Sequence, residues 1–204
     1  MVEKKNTNKI LTFILAVIIC ISAIVLLYVN LPEDETADGK INDGNINDNQ
    51  TEDSDIVLTI RYGDEQLNYT IDEIKSMVSY TGSGAKINKK YTISGPYDYT
   101  GVEISTFLSE FENLPLNYSI NSLSTDGYTQ RYTYPEMQGN IEKLNETRVS
   151  LGIGNFTMII AYKQDGLDIT DSEDGPLMIV FVDEYYSDSS LWARQLNLIE
   201  VIKE

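Results

Sequence analysis

An uncharged apolar run near the N-terminus, Ile10–Val29, restricts the chain more than any other feature of the sequence. A helix rises about 1.5 Å per residue, so a run of this length matches the hydrocarbon core of a bilayer, which is about 30 Å thick. Lys4, Lys5 and Lys9 precede the run and acidic residues follow it, so the positive-inside rule places residues 1–9 in the cytoplasm. The sequence therefore predicts a single-pass protein of the cell membrane, with residues 10–29 as a transmembrane helix and the C-terminal part outside.

Two alternatives to a retained anchor concern the same run. A cleaved signal peptide has a shorter apolar stretch that ends in small residues, whereas this run ends in the bulky segment Val25–Val29. Cys20 could mark a lipoprotein, but the residues before it are also bulky. Packing of a small apolar thiol within the run is the preferred interpretation of Cys20.

The chain contains no His and a single Cys, which limits the chemistry open to it. Without His it has no Ser-His-Asp or Cys-His nucleophile pair and no His-ligated zinc. Because Cys20 lies inside the apolar run, the polar part has no thiol for a disulfide, a metal thiolate or a redox centre. The outer domain must therefore be stabilised by its own hydrophobic core.

Residues 30–55 have the composition of a solvated tether. The stretch Leu31–Asp55 carries nine acidic residues against one Lys, with few apolar residues. Such a segment buries too little apolar surface to offset the entropy of ordering it. We expect an acidic, disordered linker between the membrane and the domain formed by residues 56–204.

Alternating apolar and polar residues after position 55 predict a domain rich in strands. The predicted strands are Ile56–Arg61, Gln66–Thr70, Lys89–Ser94, Leu116–Leu123, Tyr128–Tyr132, Phe156–Tyr162, Leu177–Val182 and Leu196–Val201. The segment Gly63-Asp-Glu65 predicts a hairpin turn between the first two strands, and Gly95-Pro96 predicts a turn after the third. Thr70 followed by Glu73 is typical of a capping box and predicts a short helix, and apolar spacing predicts a second helix over Val102–Phe111. The expected fold class is α+β: a mixed, mostly antiparallel β domain with short helices, preceded by the transmembrane helix.

The order of several short motifs resembles the molybdopterin-binding oxidoreductase domain of the sulfite oxidase type. Tyr99-Thr-Gly-Val102 leads into a helix, Thr125-Asp-Gly-Tyr128 joins two strands, Gly175-Pro-Leu177 precedes an apolar strand, and Trp192 stands before a closing strand. The resemblance covers roughly Tyr91–Glu204. It implies a cofactor-binding cleft near Asp126, Gly127, Tyr128, Gly175, Pro176 and Trp192.

The chain departs from that family at the cofactor. Members hold molybdenum through a pterin dithiolene and commonly a Cys thiolate, and anchor the pterin phosphate with basic side chains and His, whereas residues 56–204 contain neither Cys nor His. Met178 and Leu191 stand where the family often has Arg and Lys. The domain also carries eleven basic against twenty-two acidic residues, a net charge of −11, which disfavours an anionic cofactor.

The preferred interpretation is a non-catalytic domain that binds a small ligand or a membrane or cell-surface protein in the cleft, without catalytic residues, a metal or a cofactor. The alternative is a molybdopterin-dependent oxidoreductase with a Cys-free cofactor site, and a third hypothesis is a purely structural surface protein. Nucleic acid is excluded as a partner because the domain has no basic face.

Other residue patterns have weaker functional readings. The sequons at Asn49, Asn68, Asn117, Asn145 and Asn155 make the chain a glycoprotein candidate.

The acidic segment Asp165–Asp174 could bind calcium, but its spacing fits no defined calcium loop, and a solvated turn is preferred. The carboxylate pairs Glu110 with Glu112 and Asp126 with Glu136 could serve a glycosidase, although nothing selects either pair. Arg131, Arg148 and Arg194 could bind an anionic ligand through bidentate contacts, but isolated arginines among many acidic residues are expected in ion pairs.

Overall fold

We describe residues 56–170 and 174–204 from a computed structural model of the protein. The predicted cytoplasmic N-terminus (1–9), transmembrane helix (10–29) and linker (30–55) lie outside the described residues. Within the described part, none of the helices has the length and apolar character that crossing a membrane requires.

Strands dominate the described part, which contains thirteen of them and only short helices. The strands are β1 (Ile56–Tyr62), β2 (Glu65–Thr70), β3 (Tyr80–Ile87), β4 (Ile93–Glu103), β5 (Tyr118–Ser124), β6 (Thr129–Tyr132), β7 (Glu142–Leu144), β8 (Ser150–Ile153), β9 (Thr157–Gln164), β10 (Leu167–Asp168), β11 (Met178–Val182), β12 (Tyr186–Asp188) and β13 (Leu196–Lys203). The helices are α1 (Ile71–Ser76), α2 (Ile104–Leu108) and α3 (Tyr134–Met137), with a 3-10 turn at Ser189–Leu191.

The expected α+β class is wrong: the domain is mostly β, with two mixed sheets and helices of six residues or fewer. The prediction placed a ten-residue helix over Val102–Phe111. In the structure Val102 and Glu103 end β4, and only Ile104–Leu108 are helical. Val102 pairs with Ile160 of β9, so a strand partner distant in sequence overrides the local helical spacing.

The first sheet has the strand order β2-β1-β13-β5-β6. β1 and β2 form the predicted hairpin, in which Arg61 faces Gln66 across the turn. β13 lies parallel to β1 and antiparallel to β5. The first and last strands of the domain are therefore neighbours at the middle of one sheet.

The second sheet has the strand order β10-β9-β4-β3-β12-β7-β8, and β11 pairs with β9 outside this order. β12 runs parallel to β3, and the other pairs in this sheet are antiparallel. β3 was not predicted, and the predicted strand Lys89–Ser94 is largely a turn, since β4 begins at Ile93. Gly95–Pro96, predicted as a turn, lies inside β4 with a cis peptide bond.

One hydrophobic core joins the two sheets. Leu58, Ile60 and Ile199 of the first sheet belong to the same buried cluster as Ile160 and Phe181 of the second. All five residues of β11 are buried, which explains its uninterrupted apolar sequence. The core therefore packs the two sheets against each other.

Candidate functional site

The turn between β5 and β6 is the first wall of the candidate site. Asp126 Oδ1 accepts a hydrogen bond from the Tyr128 N–H at 2.9 Å, and Gly127 donates its N–H to the Ser124 carbonyl at 2.9 Å. The Tyr128 hydroxyl donates to the Ser190 carbonyl at 2.7 Å. Burial, and then the Asp188 carboxylate, raise the pKa of this hydroxyl. The turn of the first sheet is thus bonded to the 3-10 turn that follows β12.

Trp192 forms the floor of the site. Its side chain is buried, its indole N–H donates to the Ser187 hydroxyl at 2.8 Å, and its ring meets Tyr99 edge to face with centroids 5.4 Å apart. The indole also lies against Gly84 of β3, where an added Cβ would stand 3.2 Å from the Trp192 ring. The ring is therefore held by contacts with three strands, β3, β4 and β12.

Lys86 brings a half-buried positive charge to the same place. Its Nζ lies 4.7 Å from the centroid of the Trp192 ring, within the range of a cation–π contact. Burial lowers the pKa of Lys86, the nearby Arg194 lowers it further, and Asp174 opposes the shift. The site thus contains an ammonium group whose charge is only partly compensated.

Arg194 adds a second cation at the rim. Its Nη1 lies 3.2 Å from Asp174 Oδ1, and both side chains are well exposed to solvent. Gly175 is buried against Gln195, the residue that follows Arg194. An added Cβ at Gly175 would stand 2.6 Å from Gln195 Cα. Pro176 is half-buried beside it. The Gly175-Pro176 segment therefore supports the chain that carries Arg194.

These elements enclose a cavity of approximately 370 Å³. It is lined by Lys86, Asp126, Tyr128, Ser189, Ser190, Trp192 and Arg194. Of the residues that the resemblance implied, the structure brings Asp126, Tyr128 and Trp192 together at the cavity, with Gly127 in the same turn. Gly175 and Pro176 do not line it.

Sequence reasoning missed Lys86, Ser189 and Ser190 as lining residues and preferred ion pairing to anion binding for Arg194. The ion pair with Asp174 exists, but Arg194 also faces the cavity. Lys86 lies on β3, whose glycines at positions 82 and 84 weaken its strand signal. Lys86 could have been found only by accepting Tyr80–Ile87 as a strand despite its two glycines and then considering the basic residue on it.

The lining residues fit an anionic group but not a molybdenum centre. Lys86, Arg194 and the serine hydroxyls can donate to an anion. Molybdenum in the family that the sequence resembles commonly takes a soft thiolate from the protein, and residues 56–204 supply none. Within the described ranges, no group of three or more His, Cys, Asp or Glu side chains is placed to hold a metal ion.

The acidic segment Asp165–Asp174 uses its described carboxylates in structural contacts. Asp165 Oδ1 accepts the Asp98 N–H at 2.9 Å, and Asp168 Oδ2 lies 2.9 Å from Lys75 Nζ. Asp174 pairs with Arg194. These contacts favour the structural interpretation of the segment over a calcium loop.

No family model and no curated protein sequence matches the chain. Among solved structures, the chain is similar to the crystal structure of the sulfane dehydrogenase SoxCD from Paracoccus pantotrophus, with a TM-score of 0.54 and 11% identity. The match covers 72% of this chain and 38% of that chain, so this chain spans well under half the length of that protein. At such low identity the likeness is one of fold alone, and it supports a sulfite oxidase-like fold distantly.

Proposed function

We propose that residues 56–204 form a non-catalytic ligand-binding domain whose cavity takes a small organic anion. The observation that carries the proposal is the half-buried ammonium group of Lys86, which faces the cavity and has no carboxylate within 4.0 Å in the described ranges. A buried charge is costly unless it is paired. An anionic ligand would supply the missing partner.

The other lining residues indicate the rest of the ligand. Arg194 can share the anionic group with Lys86, and the serine hydroxyls can donate to or accept from it. Asp126 uses one carboxylate oxygen for the Tyr128 N–H and retains acceptor capacity toward the cavity. A ligand with an anionic group at one end and a hydroxyl or amino donor at the other would satisfy both ends of the site.

The absence of Cys and His from residues 56–204 supports the non-catalytic part of the proposal. Neither a nucleophilic thiol nor an imidazole base is present, and the likeness to an enzyme of 11% identity concerns the fold. A molybdopterin-dependent oxidoreductase with a Cys-free site is the competing function, and it makes a distinct prediction about metal content.

Thermal unfolding of the purified full-length chain with a panel of small hydroxy-, amino- and sulfonate-bearing organic acids tests the proposal. A ligand that binds only the folded state at about 100 times its Kd adds about 2.7 kcal/mol to the free energy of unfolding, which raises Tm by roughly 5–10 °C. Lys86→Met should abolish the shift, whereas Lys89→Met, an exposed control three residues further along the chain, should keep it.

Two results would overturn the proposal. One is a panel in which no anion stabilises the chain, or in which both lysine variants respond as the wild type does. The other is stoichiometric molybdenum in protein purified from its native source, which would establish the oxidoreductase instead.

We further propose that this domain faces the outside of a cell membrane, attached through Ile10–Val29. The supporting observations are the apolar run and the lysines that precede it. In a Cys20→Ser background, Ser54→Cys should react with a membrane-impermeant maleimide in intact cells, and Asn6→Cys only after lysis. Labelling of Asn6→Cys in intact cells would contradict the orientation.

A further inference from the structure

An apolar edge strand lies apart from the cavity and has no role in the proposed function. β8 is the outermost strand of the second sheet and pairs only with β7. All four of its residues are exposed, and the large side chains Val149, Leu151 and Ile153 are 57%, 47% and 65% exposed. Exposed apolar residues this close together on a sheet edge are typical of an interaction surface.

A groove of approximately 370 Å³ continues from this strand. Leu151 forms one side of it, Leu144 and Tyr185 contribute further apolar surface, and Glu146 and Glu184 also line it. The β7–β8 turn is held in shape, because Asn145 Oδ1 accepts the N–H groups of Thr147 and Val149 at 2.9 and 2.8 Å. The groove is therefore preformed in the free domain.

The charges of this region indicate what kind of partner it fits. Lys143 Nζ lies 4.8 Å from the centroid of the Tyr185 ring, but neither Glu146 nor Glu184 has a cationic partner within 4.0 Å in the described ranges. The domain as a whole has a net charge of −11, from eleven basic and twenty-two acidic residues. A second copy of the chain would bring the same two carboxylates and the same net charge. Charge complementarity therefore favours a basic partner over self-association.

The shape of β8 also disfavours pairing of two copies. Gly152 has φ +93°, and the register between β7 and β8 shifts within this strand, as in a β-bulge. Bulges bend edge strands and hinder their pairing with a second flat strand. A short flexible segment can follow the bend, whereas a rigid copy of β8 cannot.

We propose that the β8 surface, defined as Val149, Leu151, Ile153 and the groove residues Leu144, Glu146, Glu184 and Tyr185, binds an extended segment of another protein in which apolar residues alternate with Lys or Arg. One apolar side chain enters the groove between Leu144 and Tyr185. The neighbouring basic side chains pair with Glu146 and Glu184. Further apolar side chains cover Leu151 and Ile153.

The experiment titrates the full-length chain into a fluorescein-labelled decapeptide of alternating Val and Lys, and measures fluorescence anisotropy. Leu151→Ser/Ile153→Ser should weaken binding by about tenfold or more, because it removes the apolar contacts at the centre of the surface. Leu167→Ser is the matched control: Leu167 is 75% exposed on β10, at the opposite edge of the same sheet, and its replacement should leave the Kd within about twofold.

A decapeptide of alternating Val and Glu should bind at least about tenfold more weakly than the Val-Lys peptide, and Glu146→Gln/Glu184→Gln should reduce that preference. All the substituted side chains are exposed or at a groove rim, and thermal unfolding checks that each variant is folded. Three outcomes would overturn the proposal: no binding of the Val-Lys peptide, equal binding by the Leu151→Ser/Ile153→Ser variant and Leu167→Ser, or a dimer in sedimentation that Leu151→Ser dissociates.

Discussion

Lys86 combines a positive charge, partial burial and an aromatic face in one side chain. The pKa of Lys86 is lowered in the folded state, chiefly by burial, so the unfolded chain binds this proton more tightly. The charge therefore destabilises the fold at neutral pH. That destabilisation is relieved as the pH rises through the lowered pKa toward about 10.4, the value in unfolded chains.

Lys86→Met should accordingly raise the free energy of unfolding at pH 7, by up to about 1 kcal/mol, since Met keeps the contact with the Trp192 ring. The advantage should shrink as the pH approaches about 10.4. Urea unfolding of the unliganded chain at both pH values measures it, with Lys89→Met as the neutral control. A Lys86→Met variant less stable than the wild type at pH 7 would show that the cation–π contact outweighs the cost of burial.

Tyr132 has a pKa shift that stabilises the fold at neutral pH, whereas the shift of Lys86 destabilises it. Its side chain is fully buried, its hydroxyl donates to the Leu191 carbonyl at 2.8 Å, and burial raises its pKa far above the ordinary value. An unfolded Tyr ionises near pH 10, so Tyr132 contributes stability that is fully present below about pH 10 and is lost as the pH rises further.

Tyr132→Phe should lose about 1 kcal/mol at pH 7, because the Leu191 carbonyl loses its donor. Above about pH 10 its stability should fall less steeply than that of the wild type, by up to about 1.4 kcal/mol per pH unit. Chemical unfolding between pH 8 and pH 11 compares the slopes. Tyr91→Phe, at a side chain 63% exposed, should retain the wild-type slope; equal slopes in all three proteins would contradict the assignment.

Among the elements, those with strong local signals were predictable from the sequence. The capping box of α1 is confirmed: the Thr70 N–H donates to Glu73 Oε2 at 2.8 Å and the Glu73 N–H donates to Thr70 Oγ1 at 3.3 Å. The β1–β2 hairpin and the apolar strands β9 and β11 are also confirmed. These elements are specified by patterns that span only a few neighbouring residues.

The bounds of β3 and β4 could not be predicted from local patterns, because these strands depend on contacts with residues distant in sequence. Gly84 leaves room for Trp192, and Gly101 allows β4 to approach β9. The same limit applies to the site. The Asp126–Tyr128 turn and Trp192 belong to motifs whose order could be compared with a family, whereas the position of Lys86 depends on the pairing of β3 with both β4 and β12.

Gly101→Ala tests the close approach of β4 and β9. An added Cβ at Gly101 would stand 2.2 Å from the Ile160 carbonyl oxygen, so the two strands would have to separate. We expect a loss of more than about 3 kcal/mol, or failure to fold. Gly63→Ala, where the backbone has φ +59° and no atom lies within 4 Å of the added Cβ, should cost about 1 kcal/mol. Urea unfolding measures both, and a Gly101→Ala variant of near wild-type stability would contradict the packing.

For the whole molecule, the net charge and the local charge of the cavity have opposite signs. The overall acidity of the domain suggested that it would repel an anionic ligand, but the cavity is lined by two cations, Lys86 and Arg194, against one carboxylate, that of Asp126. The Debye length falls from about 30 Å at 0.01 M salt to about 8 Å at 0.15 M, so salt screens distant acids more than groups that touch the ligand.

This difference predicts opposite salt dependences at the two proposed sites. Between about 0.01 and 0.15 M salt, the association rate of an anionic ligand with the cavity should rise, and that of the Val-Lys peptide with the β8 surface should fall. Trp192 is the only Trp of the chain and lines the cavity, so stopped-flow tryptophan fluorescence reports the first rate. Rates that fall together would show that local charge governs both approaches.

The pairing of β1 with β13 at the middle of the first sheet also affects how the chain is made. A ribosome adds about 5–20 residues per second, so roughly 7–27 seconds pass between the synthesis of β1 and the start of β13. During this interval one edge of β1 is unpaired, and Leu58 and Ile60 lack the core that buries them in the finished domain. The first sheet therefore cannot be completed before residues 196–203 are made, and a nascent chain that stalls before residue 196 would be a substrate for chaperones and proteases.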